Sequence, residues 1–265
     1  MVPGESRQGA LSSLGGSALR WLVGWWRVFH LGAWILALAL SPSSYRGPNR
    51  SALLRQIYLA TAPNLLWFTI LLALLNLVLI RIVMVTAVSY GLSQYALQMV
   101  VRVLVLELIP LTTALFVAFR CTVGYGVQIA RLRESGAFAA LAIQGTDPMR
   151  HEVLPRALAG VVATLTLAAL SSVLTLVLAY LSAYGFTRWG LPAYTHTVGQ
   201  IFEPSVALIF ALKIVLLSLA VSLIPLASVL HDAGHTHAGV EMRELVRMFL
   251  AILLIEAASL IGNYY

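Results

Sequence analysis

Long apolar runs separated by short polar breaks organise this chain. The runs lie at about 63–88, 95–119, 153–184, 204–230 and 245–261. Each falls within or above the roughly 17–25 residues that a helix needs to cross the ~30 Å hydrocarbon of a bilayer. They predict five transmembrane helices, the third long enough to tilt or to project. An earlier stretch, residues 19–40, is apolar but interrupted by Arg20, Arg27 and His30, and it carries Trp21, Trp25, Trp26 and Trp34. Tryptophan favours the headgroup boundary, so this stretch reads as an interfacial or re-entrant helix, with a full span as the alternative. Residues 1–18 read as a flexible polar N-terminus without the pattern of a cleavable signal peptide. The "SPSSYRGPNRS" stretch reads as a linker whose two prolines stop a helix. The pattern therefore divides into residues 1–18, an interfacial helix with linker over 19–58, and a bundle over 59–265. The fold class is all-α and polytopic.

Composition agrees with that pattern. Of 265 residues, 60% are hydrophobic and 10% charged, against about 25% charged in an ordinary soluble domain. The net charge of +7 does not point to nucleic acid, because the basic residues border the apolar runs. Arg46, Arg50 and Arg55 precede the first run; Arg120, Arg131, Arg133, Arg150 and Arg156 separate the second from the third; Arg243 and Arg247 precede the last. The alternate intervals hold chiefly Arg188. The positive-inside rule then places the N-terminus and the central polar segment in the cytoplasm and the C-terminus on the far side. A single cysteine, Cys121, excludes an internal disulfide and a cysteine-based zinc site.

The chemical inventory is sparse. Lys213 is the only lysine, so there is no Walker A loop and no ATP hydrolysis by this chain. No G-x-S-x-G, H-E-x-x-H or paired-carboxylate arrangement supports an enzyme, and no cofactor is called for. Arg81, Arg102, Glu107, Glu203, Lys213 and Glu256 fall within or near apolar runs, where each costs roughly 2.5–3.5 kcal/mol at a helix centre. Lys213 is expected to pair with Glu107 or Glu256, either to fix helix packing or to act on substrate. Arg81 and Arg102 are expected to snorkel outward. The "HDAGHTH" stretch has three imidazoles but reads as a connector rather than a zinc site. Pro110 and Pro225 interrupt two runs and mark bends.

Between the second and third runs, residues 131–145, "RLRESGAFAALAIQG", suit a short helix with Leu132, Phe138, Ala139, Leu141 and Ala142 on its apolar face. Gly145 ends it, and Asp147–Pro148 offers an N-cap with proline at the first helical position. A short cytoplasmic helix with one apolar side is suited to docking on another protein.

The same segment resembles the MlaE/YrbE family, the permease subunits of ABC lipid transporters that work with MCE proteins. Arg120 stands at that family's arginine, Ala140–Leu141 at its A-L, Gly145-Thr146-Asp147-Pro148 at its G-x-D-P, and Leu154-Pro155-Arg156 at its V-P-R. "LELIPLTTAL" is similar to the upstream block and places Glu107; "ALKIVLLS" and "LLIEAA" place Lys213 and Glu256. The resemblance implies a homodimer in the bacterial inner membrane. It implies an ABC ATPase that binds the ATP, a periplasmic MCE-domain protein, room for a small STAS-type regulatory subunit, and membrane phospholipid as cargo. It assigns ATPase coupling to segment 128–150, with Arg131, Arg133, Glu134, Phe138, Leu141, Gly145, Asp147, Pro148 and Arg150 as contact and frame residues. The intramembrane charge set is Glu107, Lys213, Glu256 and Arg120. The chain departs from the pattern at Phe119, Gln128, Gly136 and Ala139, and two acidic positions of the coupling helix are lost. An ATP-independent channel or secondary transporter, and a non-transporting scaffold, are the competing readings.

Overall fold

In a computed structural model, which describes residues 5–42, 48–145, 147–231 and 237–264, the described residues form helices and turns without a strand. A lipid-exposed chain must satisfy its backbone internally, and helices do so within one segment. The first helix, α1, spans Glu5–Leu40. It begins well before residue 19, so the segment expected to be flexible is helical from Glu5. No proline lies between Pro3 and Pro42 to stop it. Within α1, Leu22–Leu40 has the length and composition of a span, giving six candidate spans among the described residues rather than five. Leu31, Ile35 and Leu38 recur at helical spacing and are buried, while Trp26 and Phe29 are exposed.

The second helix, α2, runs over Pro48–Ser89 as 42 continuous residues, about 63 Å at 1.5 Å per residue. It starts inside the expected linker and passes through Pro63, which was expected to open a span. A single proline is tolerated in a membrane helix where neighbours recover the freed carbonyl.

The third helix, α3, covers residues 93–134 without a break. Ser93–Val100 is α-helical, Val101–Leu108 is π-helical, Ile109–Val117 is α-helical, Ala118–Thr122 is π-helical, and Val123–Glu134 is α-helical again. Pro110 explains the first widening. Its ring would clash with the carbonyl of residue 106, and the wider turn relieves that contact. The Ile109 amide accordingly bonds Leu104 O, five residues back.

Gly136, at φ 73°, ends α3, a conformation that favours glycine. The short α4, Ala137–Ile143, follows. The expected single helix over 131–145 is therefore two pieces, and Arg131, Arg133 and Glu134 belong to the last turn of α3. Gly145, at φ 74°, closes α4. The Asp147 carboxylate then accepts a hydrogen bond from the Met149 amide at 3.0 Å, capping the next helix as its sequence suggested. That helix, α5, is Met149–Tyr184, beginning with a π turn over Met149–Val153. A short helix the pattern did not show, α6, follows at Leu191–Ile201. The last two are α7, Pro204–His231, with Pro225 inside it, and α8, His237–Tyr264.

Packing centres on α3, enclosed by α2, α5 and α7. The α2–α5 contact is the most extensive, and small residues permit it: Ala163, Ser171, Thr175 and Ala179 are all buried on α5. Asn76 on α2 donates to Thr175 Oγ1 at 2.6 Å. A Cβ at Gly160 would lie 2.5 Å from Ser222 Oγ and 2.9 Å from Thr122 Cγ2. Only a glycine lets α5, α7 and α3 approach this closely there.

Candidate functional site

Pro110 has no N–H, so the carbonyl of Leu106 lacks the donor that an α-helix would supply. Lys213, reaching across from α7, donates to Leu106 O at 3.0 Å. The same ammonium donates to Glu107 Oε2 on α3 and, at 2.8 Å, to Glu256 Oε1 on α8. All three of its protons therefore have acceptors. Its side chain is 1% exposed, and those of Glu107 and Glu256 are 15% and 14% exposed. Asn263 Nδ2 stands 3.5 Å from Glu107 Oε1, and Glu256 Oε2 is buried without a hydrogen-bond partner among the described residues.

One ammonium thus ties three helices at a point where the chain has no other lysine. With both carboxylates ionised the cluster carries one net negative charge. The sequence left Glu107 and Glu256 as alternative partners; the structure brings both to Lys213. Leu106 and Glu107 are neighbours in the π turn over Val101–Leu108, so the carbonyl of one and the carboxylate of the other both lie within reach of Lys213 on α7.

Arg120, grouped with those charges in the sequence, sits elsewhere. It is exposed and lines a polar pocket at the arginine-rich end, formed by the first turns of α2, the late part of α3 and the start of α5. Cys121 beside it is buried, accepts from Asn64 Nδ2 at 3.4 Å and lies 3.7 Å from Ala60 O. It fills a helix contact. Arg81 is exposed and Arg102 half-buried.

The segment expected to couple to an ATPase is only partly a single surface. Phe138 and Leu132 are half-buried against the core, and Leu141 is half-buried. Arg131 and Glu134 are exposed. Arg133 donates to Leu230 O at 2.6 Å, satisfying a carbonyl in the last turn of α7. Arg150 Nε lies 3.5 Å from Asp147 Oδ2, and Pro148 is half-buried. The residue that sequence reasoning missed is Ile143, 87% exposed at the tip of α4. An isoleucine immediately before the Gln-Gly stop was the available signal. The "HDAGHTH" stretch falls largely outside the described residues. Among the described residues no group of histidine, cysteine, aspartate and glutamate is placed to hold a metal ion.

Away from the bundle centre, Tyr194 on α6 donates to Leu176 O at 2.7 Å. Burial pushes its phenol up to about 12.

A model of the permease MlaE family matches residues 53–261 of the chain. No curated protein matches it.

Proposed function

The chain belongs to the MlaE permease family and is a multi-pass membrane permease of the lipid-transport type. From that premise we propose that it is the membrane subunit of an ABC-type phospholipid transporter. Two copies of the chain would form the pathway. An ATPase subunit would bind ATP and dock under α4, and a periplasmic MCE-domain protein would receive or deliver lipid on the opposite side. The setting is the bacterial inner membrane, with the arginine-rich end in the cytoplasm.

One observation supports the docking reading above the rest. The chain leaves the bundle at Gly136, makes the seven-residue helix Ala137–Ile143 and returns at the Asp147 cap. Phe138 anchors this excursion to the core, while Ile143 is left outside. An exposed isoleucine at the apex of a short, anchored helix suits insertion into a groove on a partner. Residues 136 and 139 carry no carboxylate, so the contact would rest on apolar burial, with Arg131 and Glu134 at its edge.

The test is co-purification of the chain with its ATPase from the native membrane. Ile143→Asp should lose the ATPase while the bundle keeps its thermal stability. Failure of the wild-type chain to retain any ATPase, together with ion-gradient-dependent lipid flux, would overturn the ABC reading in favour of a secondary transporter. In that reading the Lys213 cluster would carry the coupling.

A further inference from the structure

The pocket at the arginine-rich end has a volume of about 590 Å³, within the range of small-molecule sites. Three guanidiniums line it, from Arg55 on α2, Arg120 on α3 and Arg156 on α5, against the single carboxylate of Glu152. That carboxylate is engaged. Arg156 Nη1 donates to Glu152 Oε2 and, at 2.7 Å, to the Glu152 carbonyl. His151 Nδ1 lies 3.1 Å from Glu152 Oε1. The Arg156–Glu152 pair therefore forms a neutral wall. Arg55 and Arg120, both exposed, carry the uncompensated charge of the site.

The α2 side of the pocket carries apolar side chains. Leu59 and Pro63 line it, and Leu66 and Trp67 lie on the same face of α2, one to two turns further on. Both are exposed, at 64% and 76%. Helical spacing of 4, 7 and 8 residues from Leu59 puts these side chains in one stripe. A cationic pocket thus continues into an apolar stripe running toward the bilayer centre. A soluble anion would use only the first part of that arrangement; a molecule with a phosphate head and an acyl tail uses both.

We propose that this pocket holds the phosphate headgroup of an anionic glycerophospholipid, with an acyl chain lying along Leu59, Leu66 and Trp67. The site belongs to a single copy of the chain and lies at the opposite end of α3 from Ser93. It is distinct from the Lys213 cluster, none of whose residues line it. Its place in transport rests on the permease reading, but binding is a property of this chain alone. Arg55 and Arg120 face the phosphate and replace part of its hydration, while the Arg156–Glu152 pair fixes the pocket floor.

The experiment is native mass spectrometry of the full chain released from detergent. It is run with dioleoylphosphatidylglycerol, with dioleoylglycerol as the lipid lacking a phosphate, and with inorganic phosphate as competitor. Wild type and the far-end control Arg81→Gln should retain phosphatidylglycerol over dioleoylglycerol. The Arg55→Gln/Arg120→Gln variant should retain about tenfold less phosphatidylglycerol at unchanged melting temperature, with dioleoylglycerol unaffected. Displacement of the lipid by millimolar inorganic phosphate would keep the phosphate site but overturn the acyl-chain path. Equal retention by wild type and the double variant would overturn the proposal altogether. Should the double variant not fold, Arg55→Gln alone, near the α2 start, gives the same comparison. A chain that binds no ATPase yet shows arginine-dependent retention would sink the ABC reading and leave this site standing.

Discussion

Replacing Lys213 by methionine tests the central cluster most directly. Methionine keeps the apolar length of the side chain and removes only the ammonium. Three charge-assisted hydrogen bonds disappear, to Leu106 O, Glu107 and Glu256. At about 1.5–3 kcal/mol each, their simple sum overstates the loss, because the carboxylates relax toward water through their partial exposure. Removing one partner of a buried ion pair costs about 3–5 kcal/mol in practice. The Leu106 carbonyl makes the upper part of that range the better expectation, since Pro110 denies it an α-helical donor. The assay is unfolding by SDS titration in mixed micelles, followed by circular dichroism. Lys213→Met should lose about 3–5 kcal/mol. The triple variant with Glu107→Gln and Glu256→Gln should recover most of that loss, because neutral amides no longer need a counter-ion. A Lys213→Met variant within about 0.5 kcal/mol of wild type would show that the ammonium does not hold the three helices together. A triple variant no more stable than the single one would show that the unpaired carboxylates are not the source of the loss.

Other outcomes follow from the packing. Gly160→Val should destabilise the fold by about 1–3 kcal/mol, read as a lower melting temperature, because its Cβ meets Ser222 and Thr122. Asn76→Ala should cost about 0.6–1.7 kcal/mol, the range for interhelical hydrogen bonds in membranes, and Asn76→Ala/Thr175→Ala should cost less than the sum of the two singles. Tyr194 keeps its proton to about pH 12 when folded, against an ordinary value of 10.0. The folded state thus binds more protons than the unfolded state between those values, so this contribution is full below pH 10 and is lost as pH rises toward 12. Tyr194→Phe should be less stable at neutral pH, through loss of the Leu176 bond, and should show a shallower alkaline decline in unfolding titrations.

The chain's apolar runs determined the helical, multi-pass class, because a bilayer accepts few other backbones and run length is a direct count of span capacity. The local devices around α4 were equally legible. Gly145 and the Asp147–Pro148 cap act through backbone geometry within a few residues, and the structure shows both. Helix boundaries were not legible: α2 passes through Pro63, and α1 extends back to Glu5. Whether a proline or a polar stretch interrupts a helix depends on neighbours that recover its carbonyls. The splitting of residues 131–145 at Gly136 lies between these cases, since glycine permits a left-handed turn without requiring it.

Charged side chains show the same division. That Glu107, Lys213 and Glu256 need partners was written in their apolar surroundings, since a lone charge in a membrane is costly. That Lys213 takes both carboxylates, and the carbonyl freed by Pro110, was decided by how α3, α7 and α8 come together around it. Arg120 carries the same charge in a similar sequence setting, yet the fold turns it outward to a pocket with Arg55 and Arg156. Sequence registers the energetic need of each group, because that need depends on the group and its neighbours along the chain. Only packing selects the partner, because residues separated by 106 and 43 positions meet only when the helices settle against one another.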